Sequence, residues 1–259
     1  MSVVSRFVWF DLMTTDLAAS AEFLQALLGY ELAQATVNED GVQYYMMTPP
    51  GLDEALFGLV PIEPTDGMRS HWIGYLTVDD VNDAVDDVRE AGGAVHVPPS
   101  DDGEDDAPFA VVTDPQGAPF APYRSQGEVK PPGELAEIGR VAWFELMTTD
   151  VDAAANFYGE IVGWQVGDSL DLGEQGAARP LSAGGSTFGL VRNLLPGSAT
   201  GPQWNHYIRV ADLDATVALA RELGGFLYED PLPLGKAGRR ATILDPSGAP
   251  IAVWEAAKS

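Results

Sequence analysis

The strongest constraint on the fold of this chain is an internal repeat. Residues 10–16, Phe-Asp-Leu-Met-Thr-Thr-Asp, return as Phe-Glu-Leu-Met-Thr-Thr-Asp at 144–150. Further matches follow in the same order, as far as the Asp-Pro-x-Gly-Ala-Pro segments at 114–119 and 245–250. Chance does not produce such an ordered series, so the chain contains two copies of one domain.

The boundary between the copies is marked by composition. Residues 126–133, Gln-Gly-Glu-Val-Lys-Pro-Pro-Gly, are polar and rich in Pro and Gly, which is typical of a linker. We therefore predict a first domain over 1–125, a linker over 126–138 and a second domain over 139–257.

Hydrophobic periodicity and turn residues predict the same order of elements twice within each copy. In the first copy we expect a strand over 7–13, a helix over 17–28 capped by Thr15-Asp16, and strands near 30–36, 42–47 and 55–61. A strand over 72–78, a helix capped by Asp80, and strands near 94–97, 108–113 and 119–123 follow. The second copy repeats the pattern, with helices near 151–162 and 213–223. The predicted class is α+β, with four βαβββ modules in two pairs.

Charge and composition exclude several kinds of partner. The net charge is -25, from 39 acidic and 14 basic residues, which argues against nucleic acid and anionic membranes. The absence of cysteine excludes disulfides and thiolate sites. The first residues lack the features of a signal peptide, and no apolar run reaches membrane-spanning length. We expect a cytoplasmic monomer or homodimer that binds a small molecule.

Three features together resemble the vicinal oxygen chelate superfamily, which includes glyoxalases, bleomycin-resistance proteins and ring-cleaving dioxygenases. They are the Trp-Phe-Asp/Glu-Leu-Met-Thr-Thr-Asp opening, the Gly-Tyr or Gly-Trp after the first helix, and the two Asp-Pro-x-Gly-Ala-Pro turns. The arrangement is most similar to tandem glyoxalase-like proteins of actinobacteria. The resemblance implies that each pair of modules forms a cupped, incomplete barrel with a ligand on its concave side.

The same resemblance implies where a metal would bind, because metal-bearing relatives place a His on the first strand of each module and a Glu on the last. The corresponding positions here are Trp9, Trp143, Ile73, Asn205, Ala121 and Ala252. Trp and Ala cannot bind a metal ion, whereas this chemistry needs N or O ligands. We therefore expect no cofactor, and a divalent metal remains the alternative.

Three histidines are the other candidate ligands. His71 and His206 lie one or two residues from expected ligand positions, and His96 precedes a proline pair. One His with one carboxylate, such as His206 with Glu145, makes an incomplete site. The favoured interpretation is that all three are surface or hydrogen-bonded residues.

Strand alternation predicts which side chains line each cup. If Trp9 faces the cup, so do Asp11 and Met13, and the second copy presents Trp143, Glu145 and Met147 in the same way. The other strands are expected to contribute Tyr75, Tyr123, Asn205, Tyr207 and Trp254. Each cup thus combines aromatic rings with one carboxylate. That carboxylate, Asp11 or Glu145, is either a general base with a raised pKa or a structural hydrogen-bonding group.

Three functions are compatible with this pattern. The first is metal-free binding of a planar aromatic or antibiotic-like molecule in each cup. The second is an enzyme, namely a hydroxylase, isomerase or lyase, that uses Asp11 or Glu145 as base or an atypical metal. The third is a non-catalytic scaffold whose cups are filled by side chains. Separately, the acidic segment 101–106 corresponds to the basic segment 234–240, and this inversion suggests an electrostatic contact between the copies that involves Arg239 and Arg240.

Overall fold

The protein is described from a computed structural model. The structure describes residues 5–37, 43–64, 69–99, 108–125, 137–172, 176–194, 200–234 and 237–257, with the backbone alone at 34–37. Most of the predicted linker and the acidic segment 101–106 lie outside these residues. No helix in the described part of the chain is long and apolar enough to cross a membrane.

The first copy contains the two βαβββ modules that the sequence predicts. Its elements are β1 (Phe7–Thr14), α1 (Leu17–Leu28), β2 (Glu31–Val37), β3 (Gln43–Thr48), β4 (Phe57–Pro61), β5 (His71–Thr77), α2 (Val81–Glu90), β6 (Ala94–Val97), β7 (Val111–Thr113) and β8 (Pro119–Tyr123). The strand predicted over 108–113 is shorter than expected. Pro108 has no N–H to give to a ladder, and Phe109 forms only an isolated bridge to Tyr123.

The second copy follows the same order with one difference. Its elements are β9 (Val141–Thr148), α3 (Val151–Val162), β10 (Gln165–Val166), β11 (Leu170–Asp171), β12 (Ala177–Ala183), β13 (Ser186–Asn193), β14 (Gln203–Arg209), α4 (Leu213–Glu222), β15 (Phe226–Pro233), β16 (Gly238–Leu244) and β17 (Pro250–Ala256). The strand after α3 is divided into β10 and β11, both paired with β12. The intervening Gly-Asp-Ser at 167–169 consists of poor strand formers.

Each copy forms one open sheet. The strand orders are β2-β3-β4-β1-β5-β8-β7-β6 and β10-β12-β13-β9-β14-β17-β16-β15. The β1/β4 and β5/β8 pairs are parallel, as are β13/β9 and β14/β17 in the second copy. These parallel strands occupy the middle of each sheet. Neither order closes on itself, which confirms the predicted α+β class with two incomplete barrels.

The four helices of the described ranges begin in the same way. The side chains of Asp16, Asp80, Asp150 and Asp212 accept hydrogen bonds from backbone N–H groups of the first helical turn. The two first-module helices end at a glycine in the left-handed region, with φ 71° at Gly29 in α1. The cap predicted at Thr15-Asp16 is therefore confirmed for Asp16.

Cα packing divides the chain into two compact units, and each takes one module from each copy. Unit 1 comprises residues 1–9, 73–132 and 144–205. Unit 2 comprises residues 10–72, 133–143 and 206–259. The sequence left open whether modules would associate within a copy or between copies. The predicted limits 1–125 and 139–257 are the limits of the two sequence copies. That each copy folds as a separate domain stays a prediction.

The core of unit 1 is organised around Tyr158 of α3. Its hydroxyl donates to Asp114 Oδ2 at 3.3 Å and accepts from Trp204 Nε1 at 2.9 Å. Its ring stacks on Trp164 at 5.6 Å and packs against Phe120. Burial raises the pKa of the Asp114 carboxyl, although backbone N–H groups of its own turn oppose the shift. The Asp of the first Asp-Pro-x-Gly turn thus anchors a helix that belongs to the second copy.

Unit 2 repeats this arrangement with different side chains. Asp245 of the second Asp-Pro-x-Gly turn accepts a 2.6 Å hydrogen bond from the hydroxyl of Ser20 in α1. Ser20 also lies 2.7 Å from the Thr14 hydroxyl and 3.1 Å from that of Ser247. Trp72 Nε1 donates to the Pro250 carbonyl at 2.5 Å. The Asp-Pro-x-Gly turn of each copy therefore contacts the other copy within a unit.

Candidate functional site

The contacts of helix α4 show which strand faces point away from the helices. Glu255 of β17 accepts a hydrogen bond from the Leu213 backbone N–H, and Arg239 of β16 pairs with Asp214 of α4. Because side chains alternate along a strand, Trp254 and Arg240 lie on the opposite side. We call that side the helix-free face, and it is the side on which the sequence predicts a ligand.

On β9 the helix-free face carries a buried ion pair. Arg192 Nε lies 3.0 Å from Glu145 Oε1, and the two side chains are 2% and 0% exposed. The contact lies outside hydrogen-bond geometry and is an ion pair by distance. β13 runs parallel to β9 with Arg192 opposite Met147, which brings the guanidinium to the carboxylate two positions back. Glu145 is therefore a neutralised, fully buried carboxylate.

Two further predicted residues meet beside this pair in unit 1. Asn205 Nδ2 lies 3.7 Å from Met147 Sδ, and Gln203 Nε2 donates to Asn205 Oδ1 at 3.1 Å. Asn205 and Met147 are both buried. Asn205 is thus held by its neighbours as an oriented amide.

The second-copy residues in unit 2 form a basic and aromatic group. Arg240 Nη1 donates to Tyr207 Oη at 3.1 Å and forms an ion pair with Glu229. The Arg240 guanidinium carbon lies 5.8 Å from the centroid of the Tyr207 ring. Arg209 lies over the indole of Trp254 at 5.8 Å, and Trp254 Nε1 donates to the Ala237 carbonyl at 3.1 Å. Tyr207 and Trp254, two predicted ligand-binding residues, are accordingly set among arginines.

In the first copy, unit 2 contains the other predicted carboxylate. Tyr44 Oη donates to Asp11 Oδ1 at 2.5 Å. Gly58 lies opposite Asp11 on β4, and a Cβ there would collide with both Tyr44 Oη and the Asp11 carboxylate. The glycine therefore provides the space in which this hydrogen bond forms. Met13, two residues further along β1, is half-buried.

The first-copy residues in unit 1 form an aromatic trio. Tyr75 packs against Phe109 at 5.6 Å and edge-on against Tyr123 at 6.0 Å. Tyr75 and Tyr123 are half-buried, as is Trp9 on β1. Trp143 is half-buried in unit 2, and its Nε1 is buried without a hydrogen-bond partner among the described residues.

The predicted site residues thus come together in local groups. Tyr75 meets Tyr123, and Met147 meets Asn205. Sequence reasoning missed four groups that complete them: Tyr44, Phe109, Arg192 and the two arginines at 209 and 240. One signal was available for Arg192. The Phe-Gly-Leu-Val of β4 and β13 is followed by Pro61 in one copy and by Arg192 in the other.

The sequence suggests that Arg239 and Arg240 contact the other copy, whereas the structure pairs both with carboxylates of their own copy. Arg239 pairs with Asp214, and Arg240 pairs with Glu229, both inside unit 2. The acidic segment 101–106 lies outside the described residues. The two arginines are strand residues with local carboxylate partners.

Among the described residues, no histidine is grouped with two further His, Cys, Asp or Glu side chains that could hold a metal ion. His206 is on the helix side of β14, where its ring packs against Phe10 at 4.7 Å and Trp72 at 6.2 Å. Burial lowers the pKa of His206 to about 3. His71 Nδ1 lies 2.8 Å from the Arg69 carbonyl, and His96 Nε2 lies 3.2 Å from Thr113 Oγ1, both at exposed sites.

The residues at the family's ligand positions do not fit a metal. Ala121 and Ala252 lie opposite Tyr75 and Tyr207 in the parallel pairs, where they present methyl groups. The nearby carboxylates are engaged, Asp11 by a tyrosine and Glu145 by an arginine. Within the described ranges, no three His, Cys, Asp or Glu side chains are grouped to hold an ion.

A cavity of ≈ 250 Å³ lies elsewhere in unit 1, beside the start of α2. It is lined by Asp79, Asp80, Asp83 and Asp87 together with Ser5 and apolar residues of α2 and α3. None of the predicted site residues reaches it. Asp79 and Asp80 directly precede α2, where Asp80 caps the helix, and Asp83 and Asp87 lie one turn apart along it. Such a run of acidic residues usually forms a solvated surface.

Comparison with known proteins places these features in a family context. The family model described as "Glyoxalase/Bleomycin resistance protein/Dioxygenase superfamily" matches residues 6–121 and 140–253. The chain is 33% identical over 252 residues to "Putative glyoxylase CFP32" of Mycobacterium bovis, covering 96% of this chain and 94% of that protein. It is also 33% identical over 265 residues to "Anthracycline biosynthesis protein DnrV" of Streptomyces peucetius, covering 95% and 92%.

Solved structures of low sequence identity share the fold. A Mn(II)-bound glyoxalase from Novosphingobium aromaticivorans superposes with a TM-score of 0.62 at 18% identity, covering 98% of this chain and 83% of that one. A mutant of 4-hydroxymandelate synthase from Streptomyces coelicolor gives a TM-score of 0.64 at 14% identity, covering 100% and 95%. At such identity the likeness concerns architecture alone.

Proposed function

Because the chain belongs to the glyoxalase/bleomycin resistance protein/dioxygenase superfamily, we propose that it binds a planar aromatic small molecule in each predicted cup without a resident metal. The observation that carries this proposal is the replacement of metal-ligand positions by Ala121 and Ala252, each flanked by a tyrosine on the helix-free face. Aromatic side chains around a small residue favour a flat ligand that packs against their rings over a ligand held through metal-bound oxygen atoms.

The aromatic trio of Tyr75, Phe109 and Tyr123 supports the proposal for the first copy. The Tyr75 ring centroid lies 5.6 Å from that of Phe109 and 6.0 Å from that of Tyr123, and both tyrosines are partly exposed. Rings held edge-on to each other offer faces and edges to a further ring, and such aromatic pairs contribute about 0.5–1.5 kcal/mol beyond area burial. The relative named for anthracycline biosynthesis makes polycyclic aromatic compounds the first ligand class to test.

The test is ligand-dependent thermal stabilisation of protein treated with a chelator. Anthracyclines and simpler anthraquinones are added at rising concentration, and a ligand present at a hundred times its Kd stabilises by about 2.7 kcal/mol. Tyr123→Ala should reduce the shift, whereas Tyr45→Ala serves as a control because its hydroxyl bonds only to Gln43 at an exposed site. Restoration of a lost shift by Mn²⁺ or Fe²⁺ contradicts metal-free binding. No shift with any compound favours a scaffold with filled cups.

An enzymatic role is the second candidate, and the structure separates its two carboxylates. Asp11 is hydrogen-bonded to a neutral phenol, whereas Glu145 is paired with a guanidinium and is 0% exposed. An arginine partner holds a carboxylate in its charged form and lowers its basicity, so Asp11 is the better general base of the two. If turnover of an aromatic substrate is found, Asp11→Asn should abolish it, whereas Glu145→Gln should retain it under conditions in which circular dichroism shows both variants to be folded. The opposite result assigns the base to the second copy.

A further inference from the structure

We propose that the second copy contains an anion-recognition site that selects an aromatic ligand with an acidic group, while the equivalent position in the first copy takes a neutral ring. The site consists of Tyr207, Arg209, Arg240, Thr242 and Trp254, all in unit 2. This inference deepens the proposed binding function and rests on it. It adds the charge of the ligand and a difference between the two copies.

Strand register places these side chains side by side. In the parallel β14/β17 pair, Tyr207 is opposite Ala252 and Arg209 is opposite Trp254. In the antiparallel β16/β17 pair, Arg240 is opposite Trp254 and Thr242 is opposite Ala252. Directly opposite residues project to the same face of a sheet. Two short rows result, with Ala252 between two hydroxyls and Trp254 between two guanidinium groups.

The two arginines differ in how their charge is balanced. Arg240 has 0% exposure and already has a carboxylate partner, Glu229. Arg209 is half-buried over the Trp254 ring, and no carboxylate of the described residues is within ion-pair distance of it. Its Nε is buried without a hydrogen-bond partner in that same part of the chain. In a chain with 39 acidic and 14 basic residues, a cation left in this state is available to an external anion.

A buried hydroxyl provides an independent indication. Thr242 is 2% exposed, and its Oγ1 forms no hydrogen bond with any described residue. Buried hydroxyl groups are normally hydrogen-bonded because leaving one unsatisfied is unfavourable. In the register Ala252 lies between Thr242 and Tyr207, and its side chain is a single methyl group. The proposed site therefore sets the acidic oxygen beside the Thr242 hydroxyl of β16 and the Arg209 guanidinium of β14.

The two positions of the first copy that correspond to the arginines hold no basic residue. There Tyr75 is opposite Ala121, Thr77 is opposite Tyr123, and Phe109 bridges to Tyr123. By the same register, Thr77 corresponds to Arg209, and Phe109 corresponds to Arg240. The Thr77 hydroxyl is within hydrogen-bond distance of the Arg6 backbone. The tyrosine and the alanine are thus common to both copies, whereas both guanidinium groups are specific to the second.

The chemistry of the ligand follows from the donors. A guanidinium recognises a planar carboxylate or a phenolate, and the adjacent tyrosine and tryptophan favour an anion attached to a flat ring. A carboxamide of the same shape presents no negative charge to Arg209. The pair 2-naphthoate and 2-naphthamide therefore isolates the charge from the ring.

The experiment is calorimetric titration of the full chain with each probe at two salt concentrations. We expect 2-naphthoate to bind more tightly than 2-naphthamide by roughly tenfold or more, and this preference to weaken as salt is raised. Arg209→Gln should remove the preference. Arg221→Gln, which deletes one positive charge from an exposed position on α4 of the same unit, should retain it. Thr242→Val, which keeps the shape of the side chain, should weaken only the naphthoate complex.

Each outcome bears on a defined claim. Equal affinity for the two probes in the unmodified protein overturns the anion site and leaves the proposed aromatic binding intact. A naphthoate preference that survives Arg209→Gln also overturns the assignment to this site. Absence of binding by both probes contradicts the proposed function together with this inference.

Discussion

Acidification should destabilise the protein through His206. The imidazole is buried against Phe10 and Trp72, and desolvation lowers its pKa from 6.5 to about 3. The folded state therefore keeps this ring neutral, while the unfolded chain gains a proton as the pH falls through 6.5. Stability is lost progressively between pH 6.5 and about 3, because only the unfolded state binds the proton over that interval.

The magnitude follows from linkage. Between pH 7.5 and pH 5 the unfolded state gains about 2 kcal/mol relative to the folded state, at roughly 1.4 kcal/mol for each unit of pH below the unfolded pKa. This free-energy change is nearly the same if the folded pKa of His206 is one unit higher, because the folded pKa then still lies below pH 5. Asp114, whose pKa is raised by burial, has a dependence of opposite sign at more acidic pH.

The assay is urea unfolding followed by tryptophan fluorescence at several pH values for the native sequence and His206→Leu. Leucine is of similar size and does not titrate, so the difference between the two proteins isolates the histidine and cancels Asp114. We expect this difference to change by about 2 kcal/mol between pH 7.5 and pH 5. Parallel pH profiles for the two proteins would refute the assignment of a desolvated, neutral imidazole.

Three further predictions concern stability. Arg192→Leu should cost about 3–5 kcal/mol in chemical denaturation because it leaves the Glu145 carboxylate buried without its cation, and addition of Glu145→Leu should recover much of the loss; an additive double mutant contradicts the pairing. Gly58→Ala should be destabilising, because its Cβ collides with a hydrogen-bonded pair, whereas Gly159→Ala within α3 should be neutral or gain about 0.5–1 kcal/mol in the same assay. Thr242→Val should raise the stability of the ligand-free protein by roughly 1 kcal/mol, since it removes an unsatisfied buried hydroxyl; a decrease in the unfolding midpoint would show that the hydroxyl is satisfied.

The element boundaries were accessible to sequence reasoning because their causes are local. Asp16 and Gly29 lie at the two ends of α1, and the signals for both are contained within a few residues of the chain. The same holds for the Asp-Pro-x-Gly turns. The repeat strengthened every one of these predictions, since each signal occurs at equivalent places in both copies.

The partners of the site residues were not accessible in the same way. Glu145 meets Arg192 only because β13 pairs in parallel with β9 at a particular register, and the residues are far apart in sequence. Asp11 and Tyr44 are related similarly across β4. The contacts of α4 place Tyr207 and Trp254 on the helix-free face, and their role in ligand binding stays a prediction. Alternation alone does not single out Arg209 and Arg240, because they meet Trp254 only through the register of β14, β16 and β17.

The packing of a module from one copy against a module of the other within each unit has a consequence for the history and the dissection of the chain. Asp245 holds Ser20, and Asp114 contacts Tyr158, so each half of the polypeptide supplies a structural contact that the other half uses. Such reciprocity is what a symmetric homodimer acquires when gene fusion joins its subunits end to end. Two polypeptides cut at the linker should accordingly fold only when they are produced together, as complementing fragments.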